Sequence, residues 1–186
     1  MIINVLIKNL LEMKIIKLEE KGVYEYGIKL LLTSLFNAFW IMCIAIILQR
    51  PMLGIIYILI LGTVRTQIGG YHAKSYLGCF VCYNIFFAFS IFICKILHLI
   101  KCNEIMIALI GAIYLLLIYK FAPVPFAKIL DDDEKKEARR KAFSRSFLWI
   151  TIAVLVFGFK KYWSYEILSV LGISIFLMLT ESGIFR

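Results

Sequence analysis

One stretch of the chain concentrates residue types that can do chemistry: Arg65-Thr-Gln-Ile-Gly-Gly-Tyr-His-Ala-Lys-Ser-Tyr-Leu-Gly-Cys79. It holds an imidazole at His72, a thiol at Cys79, a guanidinium at Arg65 and a glycine pair, Gly69-Gly70. A thiol and an imidazole within reach of each other make a cysteine nucleophile with its base. On one unbroken helix His72 and Cys79 would share a face but lie about 10 Å apart along the axis, too far for proton transfer. The spacing therefore predicts a helix that starts after His72, with Ser75 as its N-cap. Gly69-Gly70 then lets the preceding loop fold His72 back over the sulfur. Cys79 falls about one turn into that helix, where unpaired backbone N–H groups and the helix dipole favour a thiolate. The same N–H groups, with Arg65, can hold a developing oxyanion. Gln67, Ser75 or a backbone carbonyl could orient His72, and the sequence does not choose among them.

Other readings of these residues stand beside this one. A histidine at a membrane boundary can serve helix packing instead. Cys79 and Cys82 form a C-x-x-C, but in an apolar helix with no second ligand pair, so no metal site is expected. Asp131–Asp133 likewise lacks a ligand set. His98 reads as an interface residue, and Cys43, Cys94 and Cys102 as packing thiols. The five cysteines are an odd set lying mostly inside apolar runs, which argues against a disulfide framework.

The elements around this stretch are membrane segments. Hydrophobic residues make up 62% of the chain, and its mean hydropathy is +0.90. A soluble domain averages roughly 45–50% apolar residues, so this chain has too little polar surface to cover a core in water. The net charge of +9 does not indicate nucleic acid, because the basic residues sit between apolar spans, where they orient the protein and meet anionic headgroups. Residues 1–26 read as an amphipathic helix lying on the bilayer surface. Six apolar segments follow, at 28–48, 52–64, 76–97, 105–122, 147–159 and 162–180, with a charged loop at 123–145. Two of them, 52–64 and 147–159, are short, and could be tilted, extend into their polar flanks or be re-entrant. The expected architecture is a single all-α integral membrane domain with about six crossings. Lysines and arginines fall overwhelmingly on one side of such a topology, which predicts cytoplasmic termini and a cytoplasmic Arg65–Ser75 turn in the cell membrane.

At Arg65, Thr66, Gly69, Gly70, His72, Ala73 and Cys79 the pattern resembles the accessory gene regulator B family, membrane endopeptidases that process precursor peptides for quorum sensing. The likeness extends to chain size, span order, the amphipathic N-terminus and Ala122-Pro123-Val124 at the start of the charged loop. It implies that Cys79, helped by His72, attacks a peptide bond of a small precursor and releases the precursor's C-terminal tail. It further implies that the acyl-enzyme thioester passes to an internal cysteine of the precursor, giving a thiolactone, with no cofactor. Because similar precursors carry an acidic tail, the resemblance also suggests Lys128, Lys135, Lys136, Arg139 and Arg140 as its holding residues, though acids before bases suit a solvated surface helix equally well. A homodimer is compatible with this reading. Two functions of other classes remain open: a peptide exporter or channel, needing paired charges or broken helices along a midplane path, and a thiol oxidoreductase, needing Cys79 and Cys82 equally.

Overall fold

The computed structural model describes residues 7, 12–13, 17–68, 76–123 and 131–181. The described residues form helices and turns, with no strand among them. In chain order the helices are α1 (Lys21–Ile47), α2 (Pro51–Ile68), α3 (Tyr76–Leu99), α4 (Glu104–Phe121), α5 (Asp132–Phe157) and α6 (Lys161–Glu181). Of these, α1, α2, α3, α4 and α6 are long and apolar enough to cross a bilayer. The chain divides into two compact units, Met1–Ile41 and Met42–Arg186, with the boundary inside α1.

Element boundaries differ from the sequence expectations at three places, each for a local reason. α1 begins at Lys21 rather than Ile28. Gly27 does not break it, and an ion pair of 2.6 Å from Lys29 to Glu25 spans the expected boundary one helical turn apart. The rest of the expected interfacial helix at 1–26 lies mostly outside the described residues. α2 runs past Val64 into its polar flank as far as Ile68, which brings it to 18 residues. α5 joins what the sequence divides into a charged loop and a short apolar segment. Asp131 caps it in a capping box with Glu134, and neither glycine nor proline interrupts it before Gly158.

Within the second unit the helices alternate in direction, as three cross-connections show. Tyr165 near the start of α6 donates its hydroxyl to Cys102 O, just before α4, at 2.7 Å. Ser164 of α6 donates to Ala153 O, near the end of α5, at 2.7 Å. Arg139, early in α5, donates through Nε to Ala122 O at the end of α4, at 2.8 Å. α5 therefore returns along the length of α4, although its uncharged part, Ser146–Phe157, covers only about 18 Å. The two helices cross closely at Gly111, where a Cβ would lie 2.5 Å from Ile150 Cγ2.

α6 is the centre of this unit. It packs against α2, α3, α4 and α5, and 72% of its apolar window is buried, against 17–44% for the other four apolar helices. Its sequence explains the placement, since small hydroxyl residues let helices approach in a medium that offers no hydrophobic drive between them. Ser164, Ser169 and Ser174 are all buried, and Ser174 shares a 2.8 Å hydrogen bond with Tyr114 of α4. The outer faces of α3 and α4 expose Val81, Ile85, Phe89, Leu109, Ile113 and Leu116, which suits lipid contact rather than water.

Candidate active site

α2 presents Tyr57, Leu61 and Arg65 to one pocket. In a regular α-helix residues four apart drift by about 40° around the axis, so residues eight apart would diverge by about 80°. Here Leu61–Arg65 forms a π-helical turn, whose wider winding takes up part of that drift. The local sequence favours the distortion. Thr63 donates its hydroxyl back to Leu59 O at 2.6 Å and Thr66 to Gly62 O at 3.0 Å, side-chain bonds of the kind that compete with the helical ladder and bend helices.

The start of α3 supplies the opposite wall. Cys79 is the fourth residue of α3, and Cys79, Cys82, Tyr83 and Phe86 all line the same pocket. Their spacing of three, four and seven residues puts them on one helical face. Leu177 of α6 closes the back. Arg65 lies with Cζ 5.8 Å from the centre of the Tyr83 ring, within the range of a cation–π contact. Tyr57 fixes the register of α2 against α3: its hydroxyl donates to Tyr83 O at 2.8 Å, and its ring meets those of Tyr83 and Phe87 edge-on. The cavity enclosed has a volume of about 10 Å³, near the lower limit for one water molecule.

Of the expected site residues, Arg65 and Cys79 thus come together in one pocket, and Cys82 joins them. His72, Gly69, Gly70 and Ser75 lie outside the described residues, as does Lys128. Tyr57, Tyr83, Phe86 and Leu177 were not anticipated. Tyr83 and Phe86 carry a signal in retrospect, as helical repeats of Cys79, whereas Tyr57 faces the pocket only because of the π-helical turn. Leu177 carries none.

The basic residues of α5 have mainly local partners. Lys135 pairs with Asp132 and Lys136 with Asp133, each at 3.1 Å across one exposed turn. Lys141 pairs with Glu137 and, by hydrogen bond and charge, holds the Glu137 carboxyl below its ordinary range. Such exposed pairs contribute little to stability and exchange readily. Arg139 differs, being held by Ala122 O, while Arg140 is exposed.

A second polar cluster lies at the other end of α3, about 22 Å from Cys79 along the helix axis. Glu166 of α6 is almost fully buried and faces Arg50 at 3.9 Å. Arg50 also stands 3.9 Å from Cys94 Sγ and 5.5 Å from the centre of the Tyr162 ring. His98 stacks on Tyr162 with ring centres 4.6 Å apart. Arg50 and Glu166 thus form an ionisable pair at one end of the helices. Cys94 and Cys102 are buried, and burial raises the Cys102 thiol above its ordinary range. All five cysteines are free thiols.

Antiparallel apolar helices around a serine-bearing central helix define an all-α multi-pass membrane protein, with a small pocket holding Arg65 and Cys79 at one helix end. The chain matches the model of the accessory gene regulator B family over residues 1–180 and belongs to that family. No curated protein and no solved structure matches it. Membership places the chain in the accessory gene regulator system of quorum sensing, with a precursor peptide as its substrate.

Proposed function

We propose that the chain is a membrane cysteine endopeptidase that cleaves its precursor peptide and cyclises the product. Cys79 is the nucleophile and His72 its base. The thiolate of Cys79 attacks a backbone carbonyl of the precursor, and the oxyanion is held by N–H groups of the first turn of α3 and by Arg65. The C–N bond breaks, the departing amine takes the proton from His72, and the C-terminal tail leaves. A thioester then joins the remaining precursor to Cys79. An internal cysteine of the precursor, deprotonated by His72, attacks that thioester. A new S–C bond forms as the Cys79 S–C bond breaks, and Cys79 recovers the proton. One thioester replaces another, so this exchange is close to isoenergetic and succeeds where water is kept from the acyl group.

One observation carries the reading: Cys79 and Arg65, both in the stretch whose pattern resembles the family, line the same small and largely apolar pocket. Lys128, Lys135, Lys136, Arg139 and Arg140 steer the acidic tail of the precursor by charge. The distribution of lysine and arginine puts the site and both termini on the cytoplasmic side of the cell membrane. The test is mass spectrometry of the products formed by the purified chain from a synthetic precursor peptide with an internal cysteine and an acidic C-terminal tail. The proposal predicts a released tail and an N-terminal product lighter than the linear fragment by one water. A precursor lacking its internal cysteine should give only the linear fragment. Loss of one water from that variant's product as well would contradict thiolactone formation.

A further inference from the structure

The π-helical turn that carries Arg65 is held from outside by α5. Arg145 donates through Nη1 to Thr63 O at 2.8 Å, and Trp149 donates its indole N–H to Thr63 Oγ1 at 3.2 Å. Both donors reach the same residue from positions one helical turn apart on α5, and both are half-buried, as is Thr63. Thr63 O also lies 3.3 Å from the Thr66 hydroxyl. An arginine donor to a backbone carbonyl is charge-assisted and stronger than a neutral bond. Two residues after Thr63 comes Arg65, whose guanidinium lies over Tyr83 in the pocket of Cys79. A return of this turn to regular α winding would rotate Arg65 away from its pocket.

We infer that Arg145 and Trp149 are positioning residues that clamp the turn Leu61–Arg65 and so fix the Arg65 guanidinium beside Cys79. The consequence for catalysis rests on the peptidase reading. Arg145 then differs in role from the exposed lysines earlier on α5: it joins the charged helix to the reacting centre.

The test compares alkylation of Cys79 by iodoacetate, an anion, and by neutral iodoacetamide, mapped by mass spectrometry on the full chain in nanodiscs. The ratio of the two rates reports the positive charge near the sulfur and needs no precursor. Arg65→Gln should lower the ratio at Cys79. Trp149→Phe, which changes no charge, and Arg145→Gln should each lower it by about two- to twelvefold, the range expected for losing one neutral hydrogen bond, and by no more than Arg65→Gln does. Arg145→Lys should restore most of it. In the Arg65→Gln background neither change should lower the ratio further, because residues acting through one group are not additive. Packing alone would change stability and leave the ratio untouched. An unchanged ratio in Trp149→Phe and Arg145→Gln, effects that multiply with Arg65→Gln, or no effect of Arg65→Gln itself would each overturn the inference. Failure of the peptidase reading would show separately, as precursor cleavage surviving in Cys79→Ser.

Discussion

Removing Arg50 should destabilise the helix bundle far more than neutralising its partner Glu166. The carboxylate is only 5% exposed, and its Oε2 has no hydrogen-bond partner among the described residues. Deleting the positive partner of a fully buried ion pair costs about 3–5 kcal/mol, because the remaining charge has neither water nor counter-ion. Here the guanidinium is 28% exposed and its closest approach is 3.9 Å, so the cost should drop to about 2 kcal/mol. Arg50→Met keeps the apolar stem and isolates the charge effect. Glu166→Gln keeps the shape and leaves Arg50 partly solvated over the Tyr162 ring, so it should cost less than about 1 kcal/mol. With Glu166→Gln already in place, Arg50→Met leaves no buried charge, and the double variant should recover at least about 1 kcal/mol relative to Arg50→Met alone. Unfolding in mixed micelles of increasing SDS fraction, followed by circular dichroism, measures all three. Equal losses in the two single variants, or no recovery in the double, would refute the view that Glu166 is a buried charge dependent on Arg50.

Cys79 should alkylate with iodoacetamide faster than Cys94 and Cys102, which are buried, and the advantage should shrink in His72→Ala; mapped labelling with Cys79 no faster than Cys94 would contradict the proposed site. Replacing Lys135, Lys136, Arg139 and Arg140 together with glutamine should weaken precursor binding several-fold to about a hundredfold, since two or three screened contacts are worth on the order of 1 kcal/mol each at most. Single-turnover cleavage of bound precursor should stay nearly unchanged, and salt should weaken the wild type more than this variant. Gly111→Ala should destabilise the bundle by about 1–3 kcal/mol, because the added methyl must displace Ile150 at a close crossing of α4 and α5; an unchanged SDS midpoint would show that Ile150 moves freely.

Much of the fold was legible because a bilayer leaves the chain few options. Runs of apolar residues mark the helices, and the family motif marks Cys79 and Arg65. What escaped depended on how helices meet. Acids before bases from Asp131 to Arg145 suited a surface helix, and the Asp131 capping box was there to be read, but nothing in the composition showed that the helix continues unbroken into the short apolar segment. The short segment from Met52 to Val64 concealed a π-helical turn, because winding depends on what Thr63 and Thr66 bond to and not only on apolar spacing. Glu166, an isolated acid in the sequence, finds Arg50 more than a hundred positions away. The central position of α6 follows from its buried serines, which hydropathy alone scores as weak spots in a span. Leu177 reaches the pocket only because α6 runs between the others.

The central claim is that Cys79 alone is the nucleophile of the peptidase. Its most direct test is cleavage of the precursor by Cys79→Ser and by Cys82→Ser, two thiols of the same helical face lining the same pocket. The account predicts that Cys79→Ser abolishes release of the tail and that Cys82→Ser retains most of it. Comparable loss in both variants would contradict the account and point to a dithiol mechanism.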